Sequence, residues 1–297
     1  MTQRLEGKPV AEAIEAASRR EAARAGPSTA PPTLVSVHRG LDTPFRFYLR
    51  RQAKAAEAAG IRFRDEPLAA GAGPADLRAR LRALDADDGV HAVLVEHPLP
   101  APFDFLAAVA ELRAEKDVDG VGPVNLGRLV AQRPLHVPAV ARAAIAIAQH
   151  YRAPIEGERV AVIGRSETVG LPLAIALAGR ADGMNATVTI AHSRTTGLAR
   201  ALEGARTIFS CVGRPGLLDR GVVPEGAYVI DVGLSSVPDP TRPGGVRAVG
   251  DANADSLDGW AAGLAPVPGG VGPVTVAALM AAVVRARDLL VSGGAGR

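Results

Sequence analysis

A glycine-containing loop in the second half of the chain follows an apolar run. Arg159 to Ile163 lead into Gly164, and polar residues then connect to Val169, Gly170 and a second apolar run. A strand that ends in such a loop and continues into a helix presents unpaired backbone N–H groups, which bind phosphate. The usual G-x-G-x-x-G pattern is absent, so a plain turn that needs glycine for its backbone is an equally good interpretation of this loop alone.

The end of the next apolar run bears on which nucleotide such a loop would bind. The residues there are His192-Ser193-Arg194-Thr195, and none of them is a carboxylate. NAD sites place Asp or Glu at this position for the ribose 2′-hydroxyl, whereas a hydroxyl and a guanidinium suit a 2′-phosphate. With Arg165 as a second cation, the sequence predicts NADP rather than NAD. The alternative for Arg194 is a solvated loop charge.

Both halves of the chain alternate apolar strands with helices. In the second half the predicted strands are 159–164, 186–191, 207–212 and 227–232, a pattern typical of a Rossmann-like domain. In the first half the predicted strands are 33–37 and 89–95, and the predicted helices are 9–25, 45–59 and 104–114. This alternation predicts an α/β fold with parallel sheets covered by helices.

Two long helices set the predicted domain boundaries. Residues 138–151 form an Ala-rich helix that we expect to cross between domains, and residues 274–290 are apolar nearly all round, as in a buried helix. If the second helix returns to the first domain, that domain comprises residues 1–140 with 274–297. The other domain then comprises residues 141–273.

Composition disfavours several other classes of protein. No apolar run reaches the roughly 18 residues that span a bilayer, and the first ten residues lack an export signal, so a cytoplasmic enzyme is predicted. The six His residues and the single cysteine, Cys211, show no metal-ligand spacing, and Cys211 fits a buried strand thiol better than a reactive one. The net charge of +3 comes from dispersed Arg residues, which does not favour nucleic-acid binding.

Several motifs, in order, resemble the methylenetetrahydrofolate dehydrogenase/cyclohydrolase family. The resemblance spans about residues 4–290. The matching segments are Leu5 to Ala11, Tyr48 with Lys54, Lys116 to Gly120 with Asn125 and Gly127, Gly164 to Pro172, and Pro266 to Thr275. The last of these, with its P-G-G-V-G-P core, is the most specific.

This resemblance implies a fold and a reaction. The fold is two α/β domains joined by long helices, with a folate-binding catalytic domain, an NADP-binding domain and a cleft between them. The reaction moves hydride from 5,10-methylenetetrahydrofolate to the nicotinamide, and most members then hydrolyse the methenyl product to 10-formyltetrahydrofolate. The family also implies a homodimer.

Site residues follow from the same motifs. The resemblance assigns binding of the pterin to Asp119, whose two carboxylate oxygens suit two adjacent donors. It assigns packing against the folate rings to Tyr48. The folate site further includes Gln52, Val95, Glu96, His97, Pro268, Gly269, Gly270, Val271 and Gly272. The cofactor site includes Gly164, Arg165, Ser166, Val169, Gly170, Ser193, Arg194 and Leu234.

The chain departs from the family at the folate end. The family's cyclohydrolase lysine is Gln52 here, on the helix face of Tyr48, and the family's V-Q-L-P-L-P segment has Glu96 in place of glutamine. Phe45 stands where the family has a serine, three residues before the tyrosine. Leu135 to Pro138 stand where the family has the sequence P-C-T-P.

Three hypotheses follow from these departures. The leading one is an NADP-dependent methylenetetrahydrofolate dehydrogenase with weak or lost cyclohydrolase activity, in which Tyr48, Gln52, Glu96 and Asp119 form the catalytic set. A second keeps the hydride chemistry on another folate or pterin-like substrate. A third is a non-catalytic folate- or NADP-binding paralogue, against which the intact glycine loops argue.

Overall fold

The fold is taken from a computed structural model that describes residues 1–24, 30–40, 43–241 and 245–294. The strands are β1 (Gln3–Arg4), β2 (Thr33–His38), β3 (Arg62–Pro67), β4 (Ala92–Val95), β5 (Arg159–Ile163), β6 (Thr187–Ala191), β7 (Thr207–Ser210), β8 (Tyr228–Asp231), β9 (Ser235–Pro238), β10 (Val246–Val249) and β11 (Gly263–Ala265). The helices are α1 (Gly7–Arg24), α2 (Thr43–Ala58), α3 (Pro74–Ala86), α4 (Phe105–Val109), α5 (Pro123–Val130), α6 (Ala139–His150), α7 (Gly170–Leu177), α8 (Leu198–Ala201), α9 (Ala254–Leu257) and α10 (Val271–Gly294).

The chain divides into two compact units. One comprises Met1–Glu12 with Val140–Thr275, and the other comprises Ala13–Ala139 with Val276–Arg297. We call them the nucleotide unit and the α2 unit. The predicted assignment of a folate and a cofactor domain to 1–140 with 274–297 and to 141–273 stays a prediction. No helix in the described part of the chain has the length and apolar character needed to cross a membrane.

The nucleotide unit is built on a six-stranded sheet in the order β1-β11-β8-β7-β5-β6. All neighbours in this sheet pair in parallel, and β9 and β10 form a separate antiparallel pair. The strand order reverses at β5, because β6 lies on one side of it and β7 on the other. In doubly wound sheets ligands bind outside the carboxyl ends of the strands at such a reversal.

The α2 unit contains a smaller parallel sheet in the order β3-β2-β4. Every residue of β2 is buried, because the strand lies in the centre and is covered on both faces. One face packs Leu34 with Ala56 of α2 and Leu279 of α10, and the other packs Val35 with Leu77 and Leu81 of α3.

The predicted α/β fold is confirmed, with differences in detail. The last helix begins at Val271 rather than at residue 274, since Pro273 is tolerated in a first turn whose N–H groups have no intrahelical partner. The helix predicted at 104–114 is only the five residues of α4. We did not predict α3, α5, β3 or β11.

Candidate active site and cofactor crevice

Two glycines shape the loop between β5 and α7. A Cβ atom on Gly164, whose φ is +112°, would lie 2.9 Å from the carbonyl oxygen of Cys211 after β7. A Cβ on Gly170 would lie 2.3 Å from the carbonyl oxygen of Gly164. No group in the described residues accepts a hydrogen bond from the backbone N–H of Arg165, Ser166 or Glu167. The loop is therefore a close-packed turn with free donors, which fits a phosphate group.

The end of β6 lies directly beside this loop. The Gly164 N–H donates to the Ala191 carbonyl over 2.8 Å, so His192 and the residues after it continue along the same sheet edge. Ser193 and Arg194 are exposed there, as are Arg165 and Ser166. The predicted cofactor residues on β5 and β6 thus lie on adjacent strand ends.

The remaining predicted cofactor residues flank the same edge of the sheet. Val169 is the residue before α7 and is half-buried. Leu234 follows β8 and leaves 72% of its surface exposed. An apolar side chain this exposed at the carboxyl edge of the sheet suits contact with a ring of a bound nucleotide.

One face of α2 places Tyr48 and Gln52 over the smaller sheet. Gln52 and Ala56 are fully buried and Tyr48 is half-buried, as expected for positions four residues apart on one helix face. Lys54 is exposed on the other side of the helix, so it does not replace the missing lysine. The side chain of Phe45 lies outside the described residues.

Glu96 is buried at the carboxyl end of β4. The Ser36 hydroxyl of β2 donates to Glu96 Oε1 over 2.9 Å, and both residues are buried. Burial raises the pKa of Glu96, while the neighbouring Gln52 and Ser36 side chains oppose that rise. Its carboxyl group therefore takes up a proton more readily than an exposed glutamate does.

The Gln52 amide lacks a hydrogen-bond partner among the described residues, although it is fully buried. It lies close enough to Glu96 and Tyr48 to lower the pKa of each, but neither contact reaches hydrogen-bond geometry. A buried amide with both polar atoms unsatisfied is costly unless a ligand or a water completes its hydrogen bonds.

The K-D-V-D-G segment divides into residues with separate tasks. The Lys116 ammonium is buried and donates to the carbonyl oxygens of Leu84, Asp85 and Asp87 at 3.2, 2.7 and 2.7 Å, at the end of α3. Burial lowers the pKa of Lys116. This lysine stabilises a helix terminus and is not part of the site.

Asp117 organises the loop that follows. Its carboxylate accepts hydrogen bonds from the N–H groups of Gly120 and Gly122 at 3.1 and 2.8 Å and from the Asn125 amide at 2.8 Å. Burial raises the pKa of Asp117 to about 6, and these hydrogen bonds oppose the rise. The loop is closed further by Gly120, whose added Cβ would lie 3.0 Å from the His136 carbonyl oxygen.

Asp119 is the half-buried carboxylate that this loop presents. Its Oδ1 accepts from the Ala139 N–H over 3.4 Å. Burial raises the pKa of the Tyr48 hydroxyl, and the negative charges of Glu96 and Asp119 raise it further. The structure thus brings the four predicted catalytic residues, Tyr48, Gln52, Glu96 and Asp119, into one neighbourhood.

Val95 and His97 flank Glu96. Val95 is buried on the face of the smaller sheet that packs against α3. The centroid of the His97 ring lies 4.9 Å from that of the Phe105 ring. Burial lowers the pKa of His97, so its neutral form is favoured.

The P-G-G-V-G-P loop belongs to the nucleotide unit, where Gly7 holds it. The Gly7 N–H donates to the Gly269 carbonyl over 2.8 Å, and a Cβ on Gly7 would lie 1.8 Å from the Gly270 carbonyl oxygen. Gly270 is buried, Pro268 and Gly272 are exposed, and Val271 begins α10. The opening L-x-G-K segment and this loop therefore form one structural feature of this chain.

Sequence reasoning did not single out Ser36, His38 or Asp251. His38 Nε2 lies 2.7 Å from Asp65 Oδ1, and the His38 ring is buried. Ser36 and His38 are polar residues in a fully buried strand, which is a signal that could have marked them.

Comparison with known proteins identifies the family. Residues 138–290 match the NAD(P)-binding domain of tetrahydrofolate dehydrogenase/cyclohydrolase, and residues 5–119 match the catalytic domain. The chain belongs to the tetrahydrofolate dehydrogenase/cyclohydrolase family. The predicted resemblance is confirmed. The prediction of a dehydrogenase with a nicotinamide-nucleotide-binding domain is confirmed with it.

Relatives of this family match over nearly the whole chain. The bifunctional protein FolD of Nocardia farcinica is 42% identical, over 96% of this chain and 97% of its own. The solved 5,10-methylenetetrahydrofolate dehydrogenase of the silkworm Bombyx mori is 30% identical, with a TM-score of 0.89 over 98% of this chain and 100% of its own. The Trypanosoma brucei dehydrogenase-cyclohydrolase, solved with NADP and an inhibitor, is 34% identical with a TM-score of 0.89 over 98% of both chains.

Proposed function

We propose that this protein oxidises 5,10-methylenetetrahydrofolate with NADP and has weak cyclohydrolase activity. The observation that carries the second part is the buried pair of Gln52 and Glu96 beside Tyr48. Family membership supports the oxidation itself. The nucleotide unit would hold NADP, and the residues around α2 and Asp119 would hold the folate.

The two groups of residues would divide the work of binding. Gly164, Arg165 and Ser166 would hold the pyrophosphate, and Ser193 with Arg194 the 2′-phosphate. Bound NADP supplies the hydride acceptor. The two oxygens of Asp119 would accept from the pterin edge, and the Tyr48 ring would pack on the folate rings.

The buried pair would favour the cationic product over its hydrolysis. A carboxylate about 5 Å from the methenyl cation, at an effective dielectric constant of about 20, attracts it by at most about 3 kcal/mol. The neutral product of hydrolysis would lose this attraction. The Gln52 amide does not titrate near neutral pH, so it cannot relay a proton to or from the attacking water.

Hydrolysis of methenyltetrahydrofolate tests this proposal. Wild-type protein is expected to hydrolyse methenyltetrahydrofolate at close to the rate in buffer alone. The double variant that combines Gln52→Lys with Glu96→Gln is expected to raise this rate roughly 10- to 100-fold. The control is Lys54→Gln, on the exposed side of α2, which should change nothing. Rapid wild-type hydrolysis that is lost in Glu96→Gln would instead make Glu96 the base. Absence of NADPH formation from methylenetetrahydrofolate would favour the alternative of another folate or pterin-like substrate.

Cofactor preference is tested by comparing kcat/KM for NADP and NAD. Because a hydrogen bond to a charged group contributes about 1.5–3 kcal/mol, Arg194→Ala should lower kcat/KM for NADP at least about tenfold and leave that for NAD unchanged. Arg200→Ala, an exposed arginine on α8, is the matched control. Equal kcat/KM for both cofactors in the wild type would contradict NADP specificity. The homodimer implied by the family stays a prediction.

A further inference from the structure

The loop after β7 forms a wall of the cofactor crevice. It runs from Cys211 to Arg214, and the Cys211 carbonyl is the group that a Cβ on Gly164 would meet at 2.9 Å. This loop therefore lies at the reversal of strand order, against the turn that would hold the pyrophosphate.

Asp251 holds this wall in one conformation. Its side chain is fully buried, and Oδ2 accepts from the Ser210 hydroxyl at 2.6 Å and from the Val212 N–H at 3.1 Å. Oδ1 accepts from the Arg214 N–H at 2.5 Å. One carboxylate thus satisfies three donors of a five-residue segment, and these contacts fix the conformation of the loop.

A second carboxylate fixes the first. Asp231 accepts from the N–H groups of Gly233 and Asp251 at 3.1 Å each and from that of Ala252 at 2.8 Å. A Cβ on Gly233 would lie 2.3 Å from the Asp251 carboxylate, and one on Gly250 would lie 2.0 Å from the Asp231 carboxylate. Asp251 is therefore held rigidly in place.

Gly213 lies between Val212 and Arg214, the two residues whose N–H groups donate to Asp251. Gly213 is exposed with φ of +64°, and its carbonyl accepts from the Ser235 hydroxyl over 2.8 Å. Across the part of the chain that the structure describes, nothing accepts from the Gly213 N–H. Because Gly213 is exposed and its two neighbours already donate to Asp251, the intervening N–H is available to a ligand.

We propose that the Gly213 N–H binds the nicotinamide riboside half of the cofactor, and that Asp251 is the positioning residue that presents it. The inference rests on the proposed NADP site. The 2′-phosphate residues follow β6, and the pyrophosphate turn follows β5. A dinucleotide that starts at β6 and crosses β5 reaches β7 with its nicotinamide half. The acceptor would be an oxygen of that half, either a ribose hydroxyl or the carboxamide.

Residue-resolved hydrogen exchange on the full-length protein tests the donor directly. Saturating NADP should slow exchange of the Gly213 amide at least about tenfold. The fragment 2′,5′-ADP, which contains only the adenosine half, should leave it unchanged. Val212 and Arg214 should be slow in every state, because Asp251 already accepts from them.

Binding measured by calorimetry tests the role of Asp251. Asp251→Asn should weaken NADP binding about tenfold and 2′,5′-ADP binding less than about twofold. If Asp251→Asn does not fold, Ser210→Ala provides a gentler change to the same contact. It should also weaken NADP binding.

Each contrary result has a distinct meaning. Failure of the wild type to bind NADP would overturn the proposed function and this inference with it. Binding of NADP without protection of Gly213, or equal protection by 2′,5′-ADP, would overturn the inference alone. Unchanged NADP binding in folded Asp251→Asn would remove its positioning role.

Discussion

Lys116, Asp117 and Asp119 are close in sequence, yet their environments give them different tasks. Lys116 satisfies three carbonyl groups, and Asp117 accepts three hydrogen bonds within its own loop. Asp119 is half-buried and acts electrostatically on Tyr48. A motif that resembles a single functional element therefore contains two structural residues and one candidate ligand-binding residue.

Asp119→Asn should abolish most turnover without unfolding the protein. Asparagine offers one acceptor oxygen and turns an NH₂ group towards a donor, so two charge-assisted hydrogen bonds are lost. At about 1.5–3 kcal/mol each, kcat/KM should fall at least about 100-fold. Steady-state kinetics and thermal unfolding check this.

Asp117→Asn provides the contrasting variant. It replaces an acceptor of three hydrogen bonds, so its main effect should be a lower melting temperature. Near-native kcat/KM in Asp119→Asn, or equal stability losses in both variants, would contradict this division of roles.

Helix α3 is stabilised at its C-terminus by a residue remote in sequence. The carbonyls at the end of α3 are satisfied by Lys116, about thirty positions further along the chain. Unpaired carbonyl groups at a helix C-terminus favour a cation and are costly to bury without a donor. The motif lysine therefore joins α3 to the loop that carries Asp119.

Lys116→Met should destabilise α3 selectively. Methionine keeps the apolar stem but removes all three donors, which should cost about 2–4 kcal/mol. Hydrogen exchange of the α3 amides should accelerate in this variant, whereas Lys54→Met on the exposed side of α2 should leave it unchanged. Equal exchange in the two variants would show that the cap is unimportant.

Elements with a local signal could be predicted from the sequence, and those without one could not. Four strands of the larger sheet, β5 to β8, are short apolar runs, and the sequence places each of them to within a few residues. Leu77, Leu81 and Leu84 show helical spacing, so α3 could have been found. In contrast, β3 is charged and only half-buried, and it is a strand because it pairs with β2.

Residues of the candidate sites could likewise be predicted only where the sequence carries a local signal. Gly164 and Gly170 were predicted from a local motif, and their close backbone contacts explain why the motif needs glycine. Ser36 and Asp251 make their contacts across 60 and 41 positions respectively. Such pairings depend on strand order and cannot be deduced from composition or local spacing.

At the scale of the whole molecule, a buried aspartate with a raised pKa lies in each of the two units. Burial raises the pKa of Asp117 in the α2 unit and of Asp231 in the nucleotide unit to about 6 in each case. The chain has a single tryptophan, Trp260, which is half-buried and packs against the core of the nucleotide unit. Its fluorescence therefore reports unfolding of the unit that contains Asp231.

Asp231 should make the stability of the nucleotide unit depend on pH. An aspartate with an unfolded pKa of 3.8 and a folded pKa of about 6 binds more protons in the folded state between these values. Its contribution to the free energy of unfolding is thus largest at low pH and is lost as pH rises towards 6. Asp231→Asn removes this contribution, because an asparagine side chain does not titrate. The stability difference between wild type and variant should be about 1 kcal/mol larger at pH 5 than at pH 7. Urea unfolding followed by Trp260 fluorescence measures it, with the exposed Asp182→Asn as the control for the change of charge. A difference that stays constant between the two pH values, or that grows towards pH 7, would mean that Asp231 is ionised throughout this range.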